Sequence, residues 1–454
     1  MKIAHLCNSC IFIEDGETRL LCDPWIGTAD GNAWLSFPYK DEAAALIKSL
    51  TPNCIYISHI HPDHFDPKTL CHIEHTTPVF IKKFKDGRLL GKIEALGFSS
   101  ILELDPWTSH SVGDDIELVI VPSTSMVNQG IAGTIHYDMD TSLLVRSRDN
   151  GQVFYNNVDN PTSLTALKEV CAFSEKTWKR SVDVACLPVG AASEYPHCFV
   201  NIDRNETAKN VIEASLNGLP DRIAALGCHT FFAAGGTYVI RGKFSALNQY
   251  IGQPTPADIA VFLKHWANNG NSVWSLEGGH AISYNTKAEA WQSTASGVEK
   301  QLDKIAYAKD AATIDFDYRT DCRSGNVPVA NALKRLHNAL EGALDNYSAV
   351  LSRIGIVQNW TTVINLYQDL QVDLAGDISS ISKPADMITL PCSGGEKSEQ
   401  TLTFHMDIDL LTDLVEGQGN WNGALSGSYI IYEREPNIFL PDVPFSLNFL
   451  VNRN

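Results

Sequence analysis

Roughly 18 apolar residues in a row are needed to cross a bilayer, and the sequence has no such run, so no membrane span is expected. Nor does it open like a secretory leader: Met1-Lys2-Ile3-Ala4-His5-Leu6-Cys7 is followed by Glu14, Asp15, Glu17 and Arg19, with no apolar core or small-residue cleavage site. Positive charge is scarce. Lys and Arg number 35 against 53 Asp and Glu, a net of −18, which argues against an extended, sequence-independent grip on nucleic acid. Cysteine is not arranged as a disulfide framework either: the 11 cysteines are odd in number and scattered, apart from Cys7 and Cys10, as expected of reduced thiols in a cytoplasmic location. Internal repeats and low-complexity tracts are missing. What remains, at 44% hydrophobic over 454 residues, is a globular chain able to bury one large core or two smaller ones.

The pattern along the chain is mixed. Ile3 to Ile13 is apolar and extended, Asp15-Gly16 signals a turn, and Arg19 to Cys22 is a second short run. Asp41 to Leu50 has a helical apolar side, and Cys54-Ile55-Tyr56-Ile57-Ser58 reads as a strand buried on both faces. Similar runs recur at Val79 to Ile81, Ile116 to Val121, Ser142 to Arg146, Gln152 to Tyr155, Val182 to Leu187 and Arg222 to Leu226, with helices between some of them. Such alternation predicts sheets with helices packed outside, an α/β class. From Lys287 to Ala308 the chain reads as a polar helical region, and Val329 to Ile354 as a strongly amphipathic helix followed by strands near residues 363–366, 401–406 and 427–432. We therefore expect a first unit over residues 1–285 and a smaller α+β unit over 286–454.

One segment dominates the chemistry: Ser58-His59-Ile60-His61-Pro62-Asp63-His64-Phe65-Asp66. Metal-competent side chains leave the end of a buried strand within a few residues, so that a rigid sheet aims them. His59 and His61, two apart in extended backbone, can converge on one cation, and Asp63 and His64 can reach a second. A chance cluster of surface histidines is the bland reading, and the spacing H-x-H-x-D-H directly after a strand speaks against it. Imidazole and carboxylate without thiolate suit iron, zinc or manganese.

These residues resemble the motif of the metallo-β-lactamase superfamily, which implies an αββα sandwich with two metal ions at the strand ends. His5-x-Cys7, Cys22-Asp23-Pro24-Trp25, Tyr56-Ile57-Ser58-His59, His136 to Thr141, Asn157-Val158-Asp159 and Phe404-His405-Met406-Asp407 further resemble the catalytic part of the CMP-N-acetylneuraminate hydroxylases. Carried over by position, the resemblance implies metal ligands at His59, His61, Asp63, His64 and His136, with Asp159 as a bridging carboxylate. General superfamily logic adds His229, with His280 in reserve, and sets His5 beside the metals as a supporting residue. Those hydroxylases also carry a Rieske domain with two Cys-x-His pairs, and neither Cys71-His72 nor Cys228-His229 has that spacing. The resemblance then implies a separate Rieske or ferredoxin-type electron donor.

Two enzyme classes follow. In one, a di-iron centre uses O2 to hydroxylate a polar small molecule such as a nucleotide sugar, an amino sugar or an amino acid derivative; this reading is favoured. In the other, a di-zinc centre delivers hydroxide to an ester, phosphodiester or amide, with Asp63 orienting the proton. A non-enzymatic metal-binding scaffold is disfavoured by the completeness of the ligand set. Other features are weaker. Lys82, Lys83, Lys85, Arg88 and Lys92 form a basic cluster that would receive a phosphate or simply face solvent. Cys7-Asn8-Ser9-Cys10 reads as buried packing and Gly235-Gly236-Thr237 as a turn. The second unit weakly resembles sterol-carrier-like domains, which hold apolar ligands or pair into a homodimer.

Overall fold

The computed structural model describes residues 1–40, 42–123, 140–160, 162–190, 193–300, 303–357, 360–390, 399–439 and 442–452. Two mixed sheets lie face to face. The first has eight strands in the order Ala290–Thr294, Ala281–Asn285, Lys2–Cys7, Cys10–Asp15, Thr18–Cys22, Cys54–Tyr56, Val79–Lys82, Ile101–Leu104. The second has seven, in the order Ser272–Trp274, Thr230–Ala234, Val184–Pro188, Val153–Asn156, Thr141–Ser147, Ile116–Pro122, His110–Val112.

The period-two alternation of each strand decides what lies between the sheets and what lies outside. Leu20, Cys22, Cys54 and Tyr56 of the first sheet meet Leu118, Ile120, Leu143, Val145 and Phe154 of the second in one buried layer. The alternate residues Leu21 and Ile55 face outward onto helices Ala43–Leu50 and Arg88–Ala95 through Leu46, Ile47, Leu89 and Ile93. Val119, Val121 and Leu144 face helices Leu164–Trp178 and Leu219–Leu226 on the opposite side. This is the αββα sandwich expected from the motif.

Three local readings need correction. The run Ile3 to Ile13 is not one strand; it folds back on itself at Asn8-Ser9, with Asn8 at φ 44° and Cys7 opposite Cys10. Asn-Ser between apolar runs is a turn signal, which the apolar flanks mask. Arg222 to Leu226 belongs to a helix, because Pro220 opens it, Leu219, Ile223 and Leu226 share its buried face, and Gly227 at φ 65° closes it. A short apolar run does not separate strand from helix by periodicity alone. Lys287 to Ala308 holds the edge strand Ala290–Thr294, polar because its faces are largely exposed, ahead of helix Lys304–Ala311.

The boundary expected at residue 285 thus falls within a hairpin of the first sheet, which ends at Thr294. Beyond it the long helix Val329–Ile354 and helix Ile408–Val415 pack on a four-stranded sheet ordered Pro384–Leu390, Thr361–Tyr367, Thr401–Asp407, Ile431–Glu435. Leu336, Leu340, Tyr347, Phe404 and Leu411 of this unit share one buried core with Trp25, Trp34, Phe199, Tyr238 and Phe244 of the sandwich side. No helix among the described residues is long and apolar enough to cross a membrane, and none of their cysteines is in a disulfide.

Candidate metal centre

Several chain segments reach the same end of the sandwich. Strand Cys54–Tyr56 runs parallel to Thr18–Cys22, so Ser58 to His64 leave the sheet beside Asp23. In the facing sheet Val153–Asn156 ends just before Asp159, and Asp140 stands just before its antiparallel partner Thr141–Ser147. The Asn8 turn comes to that end as well. Asp23 is fully buried at φ 43°, a left-handed conformation that aspartate tolerates better than most residues, and it accepts from Ser58 N at 2.7 Å and Ser58 Oγ at 2.8 Å. It thereby clamps the start of the histidine segment.

The polar atoms fall into two neighbouring groups. In one, His59 Nε2 lies 2.9 Å from His61 Nδ1 and 3.8 Å from Asp140 Oδ1. In the other, His64 Nε2 lies 3.1 Å from Asp159 Oδ2 and 3.4 Å from Asp63 Oδ2. The groups adjoin: one ligand atom each from His59, His64 and Asp159 lies within 4.8 Å of the other two. Asp159 thus lies within that distance of a ring nitrogen in each group. Behind these atoms Asp23 Oδ2 meets His64 Nδ1 at 3.2 Å, Ser58 Oγ meets His59 Nδ1 at 2.9 Å, and Asn8 Nδ2 donates to Asp63 Oδ2 at 3.0 Å. Asn8 is held in turn by Gly235 N, which donates to its carbonyl at 2.9 Å, and Gly236 N, which donates to Oδ1 at 2.8 Å. The Gly235-Gly236 turn is therefore part of the frame of the site. A side chain at Gly236, at φ 72°, would run into Gln253.

Burial and charge set the protonation of the metal-free cluster. His59 is driven well below the ordinary imidazole range by burial and by its histidine neighbours, and His61 is lowered by burial first. For His64 burial acts in the same direction but is outweighed by the Asp63 and Asp159 charges, so it titrates well above the ordinary value. Burial likewise raises the Asp63 carboxyl, but the His64 cation outweighs it and brings the group down to about 2. Asp140 is pushed up to about 7, by burial and then by the charge of Asp159.

These residues fit a pair of divalent cations. With bonds of about 2.1 Å, ligand atoms on one ion stand roughly 3.0 Å apart in octahedral and 3.4 Å apart in tetrahedral geometry. The spacings within both groups run from 2.9 to 3.8 Å. Two imidazole nitrogens and a carboxylate oxygen facing one another in a buried pocket form a donor set for a cation. All the donors are nitrogen or oxygen, and the supporting bonds from Asp23, Ser58 and Asn8 orient them.

The centre opens into a cleft of about 870 Å³ with His59, His61, Asp63, Asp140 and Asp159 at its base. One wall is the second unit: Tyr318, Leu410, Leu414, Asn420, Asn422 and Tyr429 all border the cleft. On the opposite rim Arg88 and Lys92, one helical turn apart on Arg88–Ala95, supply positive charge. Asp30, only 9% exposed, lines the cleft with a carboxyl that has no hydrogen-bond or ion partner among the described residues.

The structure brings His59, His61, Asp63, His64 and Asp159 together as expected. His136 lies outside the described residues. His229 is not at the centre: it is exposed, bonds Asn271 at 2.9 Å, and precedes strand Thr230–Ala234. The centre lies at the other end of that strand, where Gly235 approaches Asp159, and at about 3.3 Å per residue this puts His229 roughly 20 Å away. The helix misread as a strand is the cause. His280 is held by the Glu277 carbonyl at 2.9 Å and does not line the cleft either. His5 is buried one step back, its Nε2 2.7 Å from the carbonyl oxygen of Asn8, so it supports Asp63 only through Asn8. Its imidazole is pulled down to about 4 by burial, partly offset by that bond. Of the basic cluster, Lys82 is buried, and only Arg88 and Lys92 border the cleft. Residue-by-residue reading did not single out Asn8, Asp23, Asp140 or Asn422.

Residues 2–215 match the family described as Beta-lactamase superfamily domain. A protein of Mycolicibacterium smegmatis named for a Rieske 2Fe-2S iron-sulfur centre is 24% identical over 331 residues, which are 69% of this chain and 60% of that protein. Cytidine monophosphate-N-acetylneuraminic acid hydroxylase of Danio rerio is 27% identical over 174 residues, 35% of this chain and 26% of that one. The chain therefore spans less than two thirds of these curated relatives. Among solved structures, CmlA, a diiron β-hydroxylase from Streptomyces venezuelae, aligns at TM-score 0.40 and 18% identity over 60% of this chain and 52% of its own. An isothiocyanate hydrolase from Delia radicum gut bacteria aligns at TM-score 0.43 and 13% identity over 63% and 99%. The segment that matches the beta-lactamase superfamily domain thus holds the histidine and carboxylate cluster.

Proposed function

We propose that this protein is a dinuclear metal enzyme, a non-haem di-iron monooxygenase that hydroxylates a polar small molecule with electrons from a separate donor protein. The observation that carries the reading is the paired nitrogen and oxygen donor set, with Asp159 within 4.8 Å of a ring nitrogen in each half, at the base of a polar cleft. His59, His61 and Asp140 would hold one ion, and His64 and Asp63 the other. The likeness to a hydroxylase over 35% of the chain and to a Rieske-named protein over 69% of it supports oxidation over hydrolysis and a Rieske or ferredoxin-type donor. Two irons would supply the redox chemistry that places one atom of O2 in a C–H bond, the other leaving as water with two electrons and two protons from outside.

The chain's own residues have separate tasks. Asn8 and His64 hold Asp63 in place. Asp140, pushed up to about 7 in the metal-free site, would give up its proton as the first ion binds. Asp30 offers an unpartnered carboxyl to a donor group of the substrate, and Arg88 and Lys92 offer charge to an anionic one. Changing Arg88 and Lys92 together to alanine should raise KM for an anionic substrate about tenfold, ~1.4 kcal/mol of binding, with kcat unchanged. Unchanged KM would make the pair solvated surface.

The donor set also suits a di-zinc hydrolase, in which the ions lower the pKa of water for attack on an ester, phosphodiester or amide. Metal analysis separates the two readings. Protein produced with iron supplied and zinc limited should carry about two irons per chain, seen by elemental analysis and as a coupled pair by Mössbauer spectroscopy. His61→Ala should lose most of this metal. Tightly bound zinc that iron does not displace would favour hydrolysis, and full metal retention in His61→Ala would overturn the site.

A further inference from the structure

The hydrogen bonds around the first histidine pair form a continuous chain that starts in the second unit. Asn422, in the short helix Trp421–Ser426, places Nδ2 3.0 Å from His61 Nε2. On the other side of that ring Nδ1 is 2.9 Å from His59 Nε2, and His59 Nδ1 is 2.9 Å from Ser58 Oγ. Ser58 Oγ donates to Asp23 Oδ2 at 2.8 Å. One set of protons satisfies every link. Ser58 gives its hydroxyl proton to Asp23, so its oxygen accepts from His59 Nδ1–H. His59 Nε2 is then a bare acceptor and takes the proton of His61 Nδ1. That leaves His61 Nε2 bare, and the Asn422 amide donates to it.

This tautomer is the wrong one for a cation between the two rings. His61 points Nδ1 at His59, and a ligand atom must present a lone pair. For Nδ1 to bind, its proton has to appear on Nε2 instead. Nε2–H then faces the Asn422 side chain, and a half-turn of the amide brings Oδ1 round to accept it. Asn422 can serve both states because a carboxamide carries a donor and an acceptor on one pivot. The Asn422 side chain is exposed and has no other hydrogen bond among the described residues, so its place in the fold needs nothing more from it.

We propose that Asn422 is a positioning residue through which the second unit sets the tautomer of His61, and so couples its own seating on the sandwich to metal uptake. The proposal rests on the metal-centre reading above.

The test uses the full chain and its Asn422→Asp and Asn422→Ala variants, with two readouts. Long-range 1H–15N spectra of the metal-free proteins report which His61 nitrogen carries the proton, and Co2+ titration followed by visible absorption reports affinity. Wild type should hold the proton on Nδ1. Asn422→Asp, an acceptor only, should move it to Nε2. Co2+ affinity should fall in the order Asp, Asn, Ala, with at least about tenfold between the ends, while melting temperatures stay together. An unmoved tautomer in both variants overturns the proposal, even if the added carboxylate tightens Co2+ by charge alone. Equal affinities across all three do the same. If wild type takes up no Co2+ while the tautomer still follows residue 422, the metal reading fails and the coupling to uptake fails with it.

Discussion

His64→Gln is expected to remove the second metal position and to destabilise the metal-free protein by about 3–5 kcal/mol. The reason is the company His64 keeps. Its ring has no exposed surface, with Asp23 at 3.2 Å on one nitrogen and Asp159 at 3.1 Å and Asp63 at 3.4 Å on the other. In the metal-free state the imidazolium is the cation that holds the buried Asp63 carboxyl ionised. Glutamine fills similar space without charge, and leaves the carboxylates to repel one another or take up protons. Denaturant melts of the metal-free variant measure the loss. Adding Asp63→Asn should recover part of it, since one uncompensated charge goes with the carboxylate. An unchanged midpoint together with unchanged metal content would sink both the charge argument and the ligand role.

The second large effect is on pH. His64 titrates above its unfolded value, so its contribution to metal-free stability is full below about pH 6.5 and is lost as pH rises through the raised folded value. Asp63 works in the opposite sense. Its carboxyl is held down at about 2, so its contribution is present above about pH 3.8 and fades as pH falls through about 2. The His64 and Asp63 contributions should therefore be greatest together between these limits. Metal uptake should behave differently, because a cation must displace the His64 proton. We expect affinity to rise about tenfold per pH unit between about pH 7, above which Asp140 is already ionised, and the His64 titration, with about one proton released per chain from this residue. Calorimetric titration in buffers of different ionisation heat measures that release. An affinity flat with pH and no released proton would show His64 to be neutral in the metal-free protein.

The sandwich was legible because its strands are short, nearly continuous apolar runs, and because H-x-H-x-D-H follows one of them directly. The contiguous part of the site came with it. What escaped notice is held by tertiary contact. Asn8 enters the centre because a turn splits an unbroken apolar run, and an apolar residue count is blind to that. Asp23 stood in a segment noted for resemblance, yet its grip on Ser58 and His64 depends on two parallel strands ending side by side. Asp140 lay in another such segment, and its ring contact spans both sheets. His229 was misplaced because one helical turn of alanines and leucine imitates a strand. Asn422 had no local signal at all, since the nearest site residue is His61, far away in sequence.

The division of the cleft has a consequence for how such an enzyme changes over time. Its floor is built from the strand ends of the sandwich, where His59, Asp63 and His64 are each fixed by a partner behind them, so drift there is costly. Its far wall is built from the second unit, from Tyr318, Leu410, Leu414, Asn420 and Tyr429, none of which is a ligand candidate. Substitutions on that wall, Asn422 apart because it reaches His61, can reshape what the cleft admits without disturbing the chemistry below. Descendants of one ancestor could then diverge in substrate while keeping an identical floor. Comparing walls, more than comparing ligands, is the way to sort them.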